Sequence, residues 1–132
     1  MDDDPICPKD VYETHIIAFV NSFVERNRRD RWLHLLLKRP KKLFRNSHKL
    51  HDCLDKTRCA ESLEPDSLED EMTGMFCDFW SDSNPILVSA RRAIELGTGH
   101  DALFSVSPGK HAVYFFHEDF VMECHSHRKE KT

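Results

Sequence analysis

Four glycines and six prolines among 132 residues are too few for a collagen-like, linker or low-complexity protein. No apolar run approaches the ~18 residues of a membrane span, so no membrane partner is expected. The opening Met1-Asp2-Asp3-Asp4 is acidic and lacks the apolar core of a signal peptide, which favours a cytoplasmic location. None of the five cysteines stands in a C-x-x-C pair, the spacing that zinc ribbons and dithiol redox motifs use. Cys7, Cys53, Cys59, Cys77 and Cys124 are therefore expected as reduced, buried, small apolar side chains.

The familiar catalytic signatures are missing as well. Pro108-Gly109-Lys110-His111 contains a Gly-Lys pair, but the P-loop's first glycine is replaced by Phe104 and its Ser or Thr by His111. Gly97-Thr98-Gly99 follows a helical pattern and reads as a helix end, where a dinucleotide fingerprint would follow a strand. Neither H-E-x-x-H nor G-x-S-x-G occurs. Ser47-His48 and His51-Asp52-Cys53 hold nucleophile, base and orienter residue types. Adjacent helix positions diverge, however, and only His48 and His51 could meet. His51 reads as a hydrogen-bonded core or boundary residue.

What the chain does contain is 32% charged residues and a full complement of aromatics, as a folded single domain should. The formal charge of −4 hides an uneven distribution. Residues 26–49 carry ten Lys and Arg against the single acid Asp30, and residues 61–82 carry eight Asp and Glu with no Lys or Arg. Three arrangements are open: mutual neutralisation or plain solvation of both blocks, a basic surface for a polyanion, or a basic surface for a protein. The polyanion reading names Arg28, Arg29, Arg31, Lys41, Lys42, Arg45 and Lys49 as the phosphate-contacting set. The nine histidines make the net charge strongly dependent on mild acid.

Periodicity predicts three N-terminal helices. Tyr12, Ile16, Phe19, Val20 and Phe23 form one helical face, with Asp10 and Glu13 placed as a capping box. Trp32 to Leu37 follows Asp30, a candidate cap. A third amphipathic helix starts at Pro40, with Leu43, Ser47, Leu50 and Leu54 on one face and Lys41, Arg45 and Lys49 on another. Residues 56–74 read as an acidic surface loop, and Met75–Trp80 as a strand in preference to a helix. Ser83-Asn84-Pro85 reads as a helix start, with Gly97 as its end. Strands are expected at 102–107, 111–116 and 120–125. The expected fold class is α+β: three N-terminal helices, then β-α-β-β-β, with a small, largely antiparallel sheet covered on one face by helices. The domain is expected to span 9–127, between flexible tails at 1–8 and 128–132.

A three-residue loop at His117-Glu118-Asp119 would pair Phe116 with Phe120, Tyr114 with Met122 and Ala112 with Cys124 on one apolar face. The other face would pair Phe115 with Val121, Val113 with Glu123 and His111 with His125. With His127 two residues on, these histidines form a pattern that can hold zinc, although solvated edge histidines and no cofactor are the simpler expectation.

The functional expectation is a small, non-catalytic, cytoplasmic binding module that meets nucleic acid or another polyanion through helices 26–49. The alternatives are a protein-interaction or regulatory domain, including one that binds itself, and a metal- or His-dependent enzyme using the His-bearing sheet face.

Overall fold

A computed structural model describes residues 4–38, 47–79, 84–118 and 120–126. The chain is α+β. Its elements are α1 (Lys9–Phe23), a 3-10 turn (Arg26–Arg28), α2 (Arg29–Lys38), a 3-10 helix (Ser47–Cys53), β1 (Cys59–Ser62), β2 (Thr73–Asp78), β3 (Ile86–Ser89), α3 (Ala90–Gly97), β4 (Ala102–Ser107), β5 (His111–Phe115) and β6 (Val121–His125). The strands form one six-stranded sheet in the order β1-β6-β5-β4-β2-β3, antiparallel at every junction. Among the described residues no helix is long and apolar enough to cross a membrane.

The β5–β6 register is the expected one, from His111 opposite His125 to Phe115 opposite Val121. Period-two alternation then sends Ala112, Tyr114, Met122 and Cys124 to one face, where they join Leu103 under α1, α2 and the 3-10 helix. Tyr12, Ile16, Phe19, Val20 and Phe23 of α1 and Trp32, Leu35 and Leu36 of α2 fill that core. The Tyr12 hydroxyl donates to the Leu36 carbonyl at 2.7 Å, which fixes α2 against α1 without leaving a buried polar group unpaired. Burial and nearby carboxylates push the Tyr114 hydroxyl far above its ordinary pKa, so it stays protonated in the core.

The opposite face is covered as well, beyond the single helical layer expected. Val113, Phe115 and Val121 point there, too apolar to be left to water. They pack with Phe76, Phe104, Ala90 and Ala93, and with Leu68 and Met72 from the acidic stretch. One helix is short, so Leu68 and Met72 complete the cover.

Several local expectations change. The acidic stretch 56–74 is not all loop: Cys59–Ser62 forms edge strand β1, paired to β6, and β2 begins at Thr73. Ile86–Ser89 is a strand, and α3 starts only at Ala90, capped by the Ser89 side chain accepting from the Arg92 amide at 3.3 Å. Pro85 suits a strand's first approach as well as a helix's first turn. Pro8, and not Asp10, occupies the cap position of α1, with no side-chain cap bond; Asp10 lies in the first turn. Asp30 likewise lies inside α2. Residues 5–8 are not a loose tail: Ile6 bridges Ile86, and the Cys7 amide donates to the Pro85 carbonyl at 2.8 Å. The third helix is described only from Ser47, as a 3-10 helix; its expected start lies outside the described residues.

Two glycines separate two kinds of constraint. A Cβ on Gly74 would meet the Ser105 carbonyl oxygen and lie 2.9 Å from Val106 Cα, both backbone. Gly99 has open space around it but a φ of +84°. Gly74→Ala should therefore lower stability by about 2 kcal/mol or more through forced strand separation. Gly99→Ala should cost about 1 kcal/mol through conformation alone. Urea unfolding midpoints of the two variants check the order.

Candidate functional site

The basic side begins where α1 ends. Val24 bridges Leu54, the Glu25 amide donates to the Cys53 carbonyl at 2.8 Å, and the Asp55 amide donates to the Phe23 carbonyl at 2.7 Å. These bonds lay the Arg26–Arg28 turn beside the end of the 3-10 helix. On α2 the apolar residues Trp32, Leu35 and Leu36 face the core, which leaves Arg31, His34 and Lys38 on the exposed side at helical spacing. Arg26, Arg28 and Lys49 are exposed too. None of Arg26, Arg28, Arg31, Lys38 and Lys49 forms an ion pair with a described residue.

Arg29 differs from its neighbours. It is half-buried, and its Nε donates to the Val24 carbonyl at 2.9 Å, which ties α2 to the end of α1. Its first duty is structural. Lys41, Lys42 and Arg45 lie outside the described residues. Two cations absent from the predicted set join this side of the molecule. Arg58 donates to the Ser22 carbonyl at 3.1 Å and Lys56 to the His51 carbonyl at 3.2 Å, both from exposed positions. Sequence distance hid them: they follow the acidic Asp52 and Asp55 and return to α1 only through the chain's turn into β1. Asp55 lies among them. The Thr57 hydroxyl and amide hold its carboxyl below the usual carboxylate range, with Arg58 and Arg29 adding to the effect.

The acidic stretch lies elsewhere. The Ala90 amide donates to the Met72 carbonyl at 2.6 Å and the Arg91 amide to the Asp70 carbonyl at 3.3 Å, so residues 70–72 run against the start of α3. Asp70 also pairs with Arg91 at 3.3 Å in an exposed position. Leu68 and Met72 anchor the segment on the sheet face opposite α1 and α2. Asp66, Glu69, Asp70 and Glu71 therefore do not cover the basic helices. Glu61 is the exception among the acids: on β1 it reaches toward His51 Nε2, 3.6 Å away.

His111 and His125 meet as expected. Their rings stack with centroids 4.5 Å apart and planes 18° from parallel. The sequence did not reveal that His111 Nε2 lies 3.0 Å from the Ser67 hydroxyl, while Glu123 accepts from the Ser67 amide at 2.8 Å. The acidic segment thus closes over one imidazole, whose pKa burial and the neighbouring His125 lower. His127 lies outside the described residues, and among the described residues no group of three or more His, Cys, Asp and Glu is placed to hold a metal ion.

Other histidine pairs went unpredicted. His15 Nδ1 and the Ser105 hydroxyl are 2.6 Å apart, with both residues buried. His15 falls on the apolar stripe of α1, one turn from Tyr12 and Phe19, so its burial was legible; Ser105, 90 residues away, was not. A Ser–His pair is the start of a nucleophile, but this one is packed on all sides and no substrate can reach the hydroxyl. At the hairpin, buried Asp101 accepts from the His117 amide at 3.0 Å and sits 3.1 Å from its Nδ1, which makes it a strut for the β5–β6 turn. Beside that turn, Leu63, Pro65, Ile94, Phe115 and Phe120, with Glu64 and Glu118, line a cleft of about 230 Å³.

No family model, curated protein or solved structure matches the chain.

Burial holds the His15 imidazole neutral by lowering its pKa, as it does that of His111. Below the ordinary histidine pKa of about 6.5 the unfolded chain binds protons that these two sites refuse, so stability must fall as pH falls through that range. Urea unfolding should give a lower midpoint at pH 5.5 than at pH 7.5. His15→Asn, whose amide can occupy the place of Nδ1 without titrating, should shrink that difference.

Proposed function

We propose that this chain is a small, non-catalytic, cytoplasmic binding module that engages nucleic acid through the basic side built by residues 26–49. The observation that carries the reading is that the described cations Arg26, Arg28, Arg31, Lys38 and Lys49 lie on the helix-covered side, while the acidic segment around Leu68 and Met72 packs on the opposite face of the sheet. An acidic segment folded over α2 would have neutralised the cations and repelled a phosphate backbone. Here the exposed Arg26, Arg28, Arg31, Lys38 and Lys49 are left without ion pairs to described residues, and Lys56 and Arg58 extend the cationic area. Trp32 is buried in the core and offers no stacking platform, so the reading rests on phosphate contacts and claims no sequence specificity.

Fluorescence anisotropy with short labelled single- and double-stranded DNA and RNA tests this at two salt concentrations. Binding should be micromolar or tighter at low salt and weaken steeply as salt rises. Combining Arg28→Ala, Arg31→Ala and Lys49→Ala should lower the slope of log affinity against log salt by about 2 on single strands and about 3 on duplex DNA. Neutralising Asp66, Glu69 and Glu71 should not weaken binding. No binding at low salt would remove the proposal.

The same two-faced layout favours a second reading, in which copies of the chain associate head to tail, basic side on acidic side. Such a contact is heterologous and does not close, so it yields a concentration-dependent series of species. Sedimentation velocity without nucleic acid should then show the average mass rising at low salt and returning to that of one chain at high salt. The Asp66, Glu69 and Glu71 variant should abolish the rise. A single species at both salt concentrations would dismiss this reading.

A further inference from the structure

Cys59 and Cys124 stand directly opposite each other on β1 and β6, 65 positions apart in the chain. Two independent ladders show which kind of pair they form. On the β1 side, the His125 amide donates to the Arg58 carbonyl at 3.0 Å, so the neighbouring pair Arg58–His125 carries the hydrogen bonds. On the β5 side, the Phe116 amide donates to the Phe120 carbonyl, and counting two residues at a time makes Ala112–Cys124 a hydrogen-bonded pair. The backbone groups of Cys124 therefore point at β5, and Cys59–Cys124 is a non-hydrogen-bonded pair. In such pairs the Cα atoms approach to about 4.5 Å and the side chains lean together, which lies at the near edge of the range a disulfide spans. Both side chains are buried on the helix-covered face, where the Cys59 thiol donates to the Phe23 carbonyl and the Cys124 thiol to the Met122 carbonyl, each at 3.8 Å.

We propose that Cys59 and Cys124 are a modification site, oxidised by a small-molecule disulfide such as oxidised glutathione to a cross-strand disulfide between β1 and β6. β1 has four residues and lies at the end of the sheet, so it opens more easily than the strands it shields. When it opens, the Cys59 thiolate attacks one sulfur of oxidised glutathione. That sulfur–sulfur bond breaks, and one glutathione thiolate leaves and takes up the proton Cys59 gave up. As β1 closes, the Cys124 thiolate attacks the Cys59 sulfur of the mixed disulfide and expels the second glutathione, which takes up the proton of Cys124. Two protein thiols lose two electrons in all, and one glutathione disulfide becomes two thiols. Burial pushes the Cys124 thiol well above its ordinary pKa, which keeps the pair slow and selective in the closed state. Cys7, Cys53 and Cys77 have no cysteine opposite them in the strand pairings.

The test incubates reduced, folded protein with excess oxidised glutathione, quenches with acid, alkylates under denaturing conditions and maps the peptides by mass spectrometry. Expected is the loss of two hydrogens, alkylation at Cys7, Cys53 and Cys77 alone, and a dithiothreitol-sensitive peptide joining Cys59 to Cys124. The melting temperature should rise by at least about 5 °C on oxidation, since the bond closes a long loop. Cys59→Ala and Cys124→Ala should each abolish both effects, and Cys7→Ala and Cys53→Ala should leave them intact. The mapping on the unaltered chain stands even if a variant folds poorly. Hydrogen exchange followed in parallel reports when β1 has opened. The proposal is overturned if all five thiols stay alkylatable after the β1 amides have exchanged, if glutathione remains attached at either cysteine, or if the bridge joins any other pair.

Discussion

The pairing of β5 with β6 is the constraint on which the rest of the architecture rests. Its alternation sends two apolar sets in opposite directions, Tyr114 and Met122 one way, Phe115 and Val121 the other. A strand pair apolar on one side needs one cover; this one needs two. α1 and α2, each with a broad apolar stripe, take the first face. α3 offers only Ala90 and Ala93 as fully buried side chains, with Ile94 and Leu96 partly buried, and its shortness draws Leu68 and Met72 onto the sheet as well. The position of the acidic chain is therefore a consequence of hydrophobic burial, and the separation of negative from positive charge comes with it.

Helix α1 and the register of the last hairpin could be read from local periodicity, and the three C-terminal strands from short apolar runs between turn residues; the strand at 75–78 was read from its shortness and its bounding residues, since its apolar positions also fit a helical stripe. The misread segments share a different property. Cys59–Ser62 and Ile86–Ser89 are four-residue strands, too short for alternation to show; the first is specified by a partner distant in the chain, and the second follows Ser83-Asn84-Pro85, whose residues read as a helix start. Pro8 and Pro85 illustrate the ambiguity of local markers. Proline fits both a helix's first turn and the approach to an edge strand, so only tertiary context decides.

Of the candidate surface, the exposed side of α2 was only partly legible: the run Trp32 to Leu37 looks apolar over most of the helix, yet only Trp32, Leu35 and Leu36 are buried, and Leu37 is exposed with Arg31 and Lys38. The structural use of Arg29 was not legible, because a guanidinium bonded to a carbonyl five residues back has the same sequence signature as a free one. Nor were Ser67 over His111 and Ser105 against His15, which need contacts across 44 and 90 residues. Polar residues that complete a buried partner give no periodic signal of their own.

The strand order β1-β6-β5-β4-β2-β3 also bears on how the chain comes off the ribosome. The apolar stripe of α1 faces side chains of β4, β5 and β6, all of them made after residue 101. β1 waits for β6 in the same way. Until β4, β5 and β6 have been made, α1 therefore has α2 but no sheet against its apolar stripe, and β1 has no strand to pair with. A domain arranged in this way assembles in one late, cooperative event. Until then it depends on whatever shields exposed apolar surface on an emerging polypeptide.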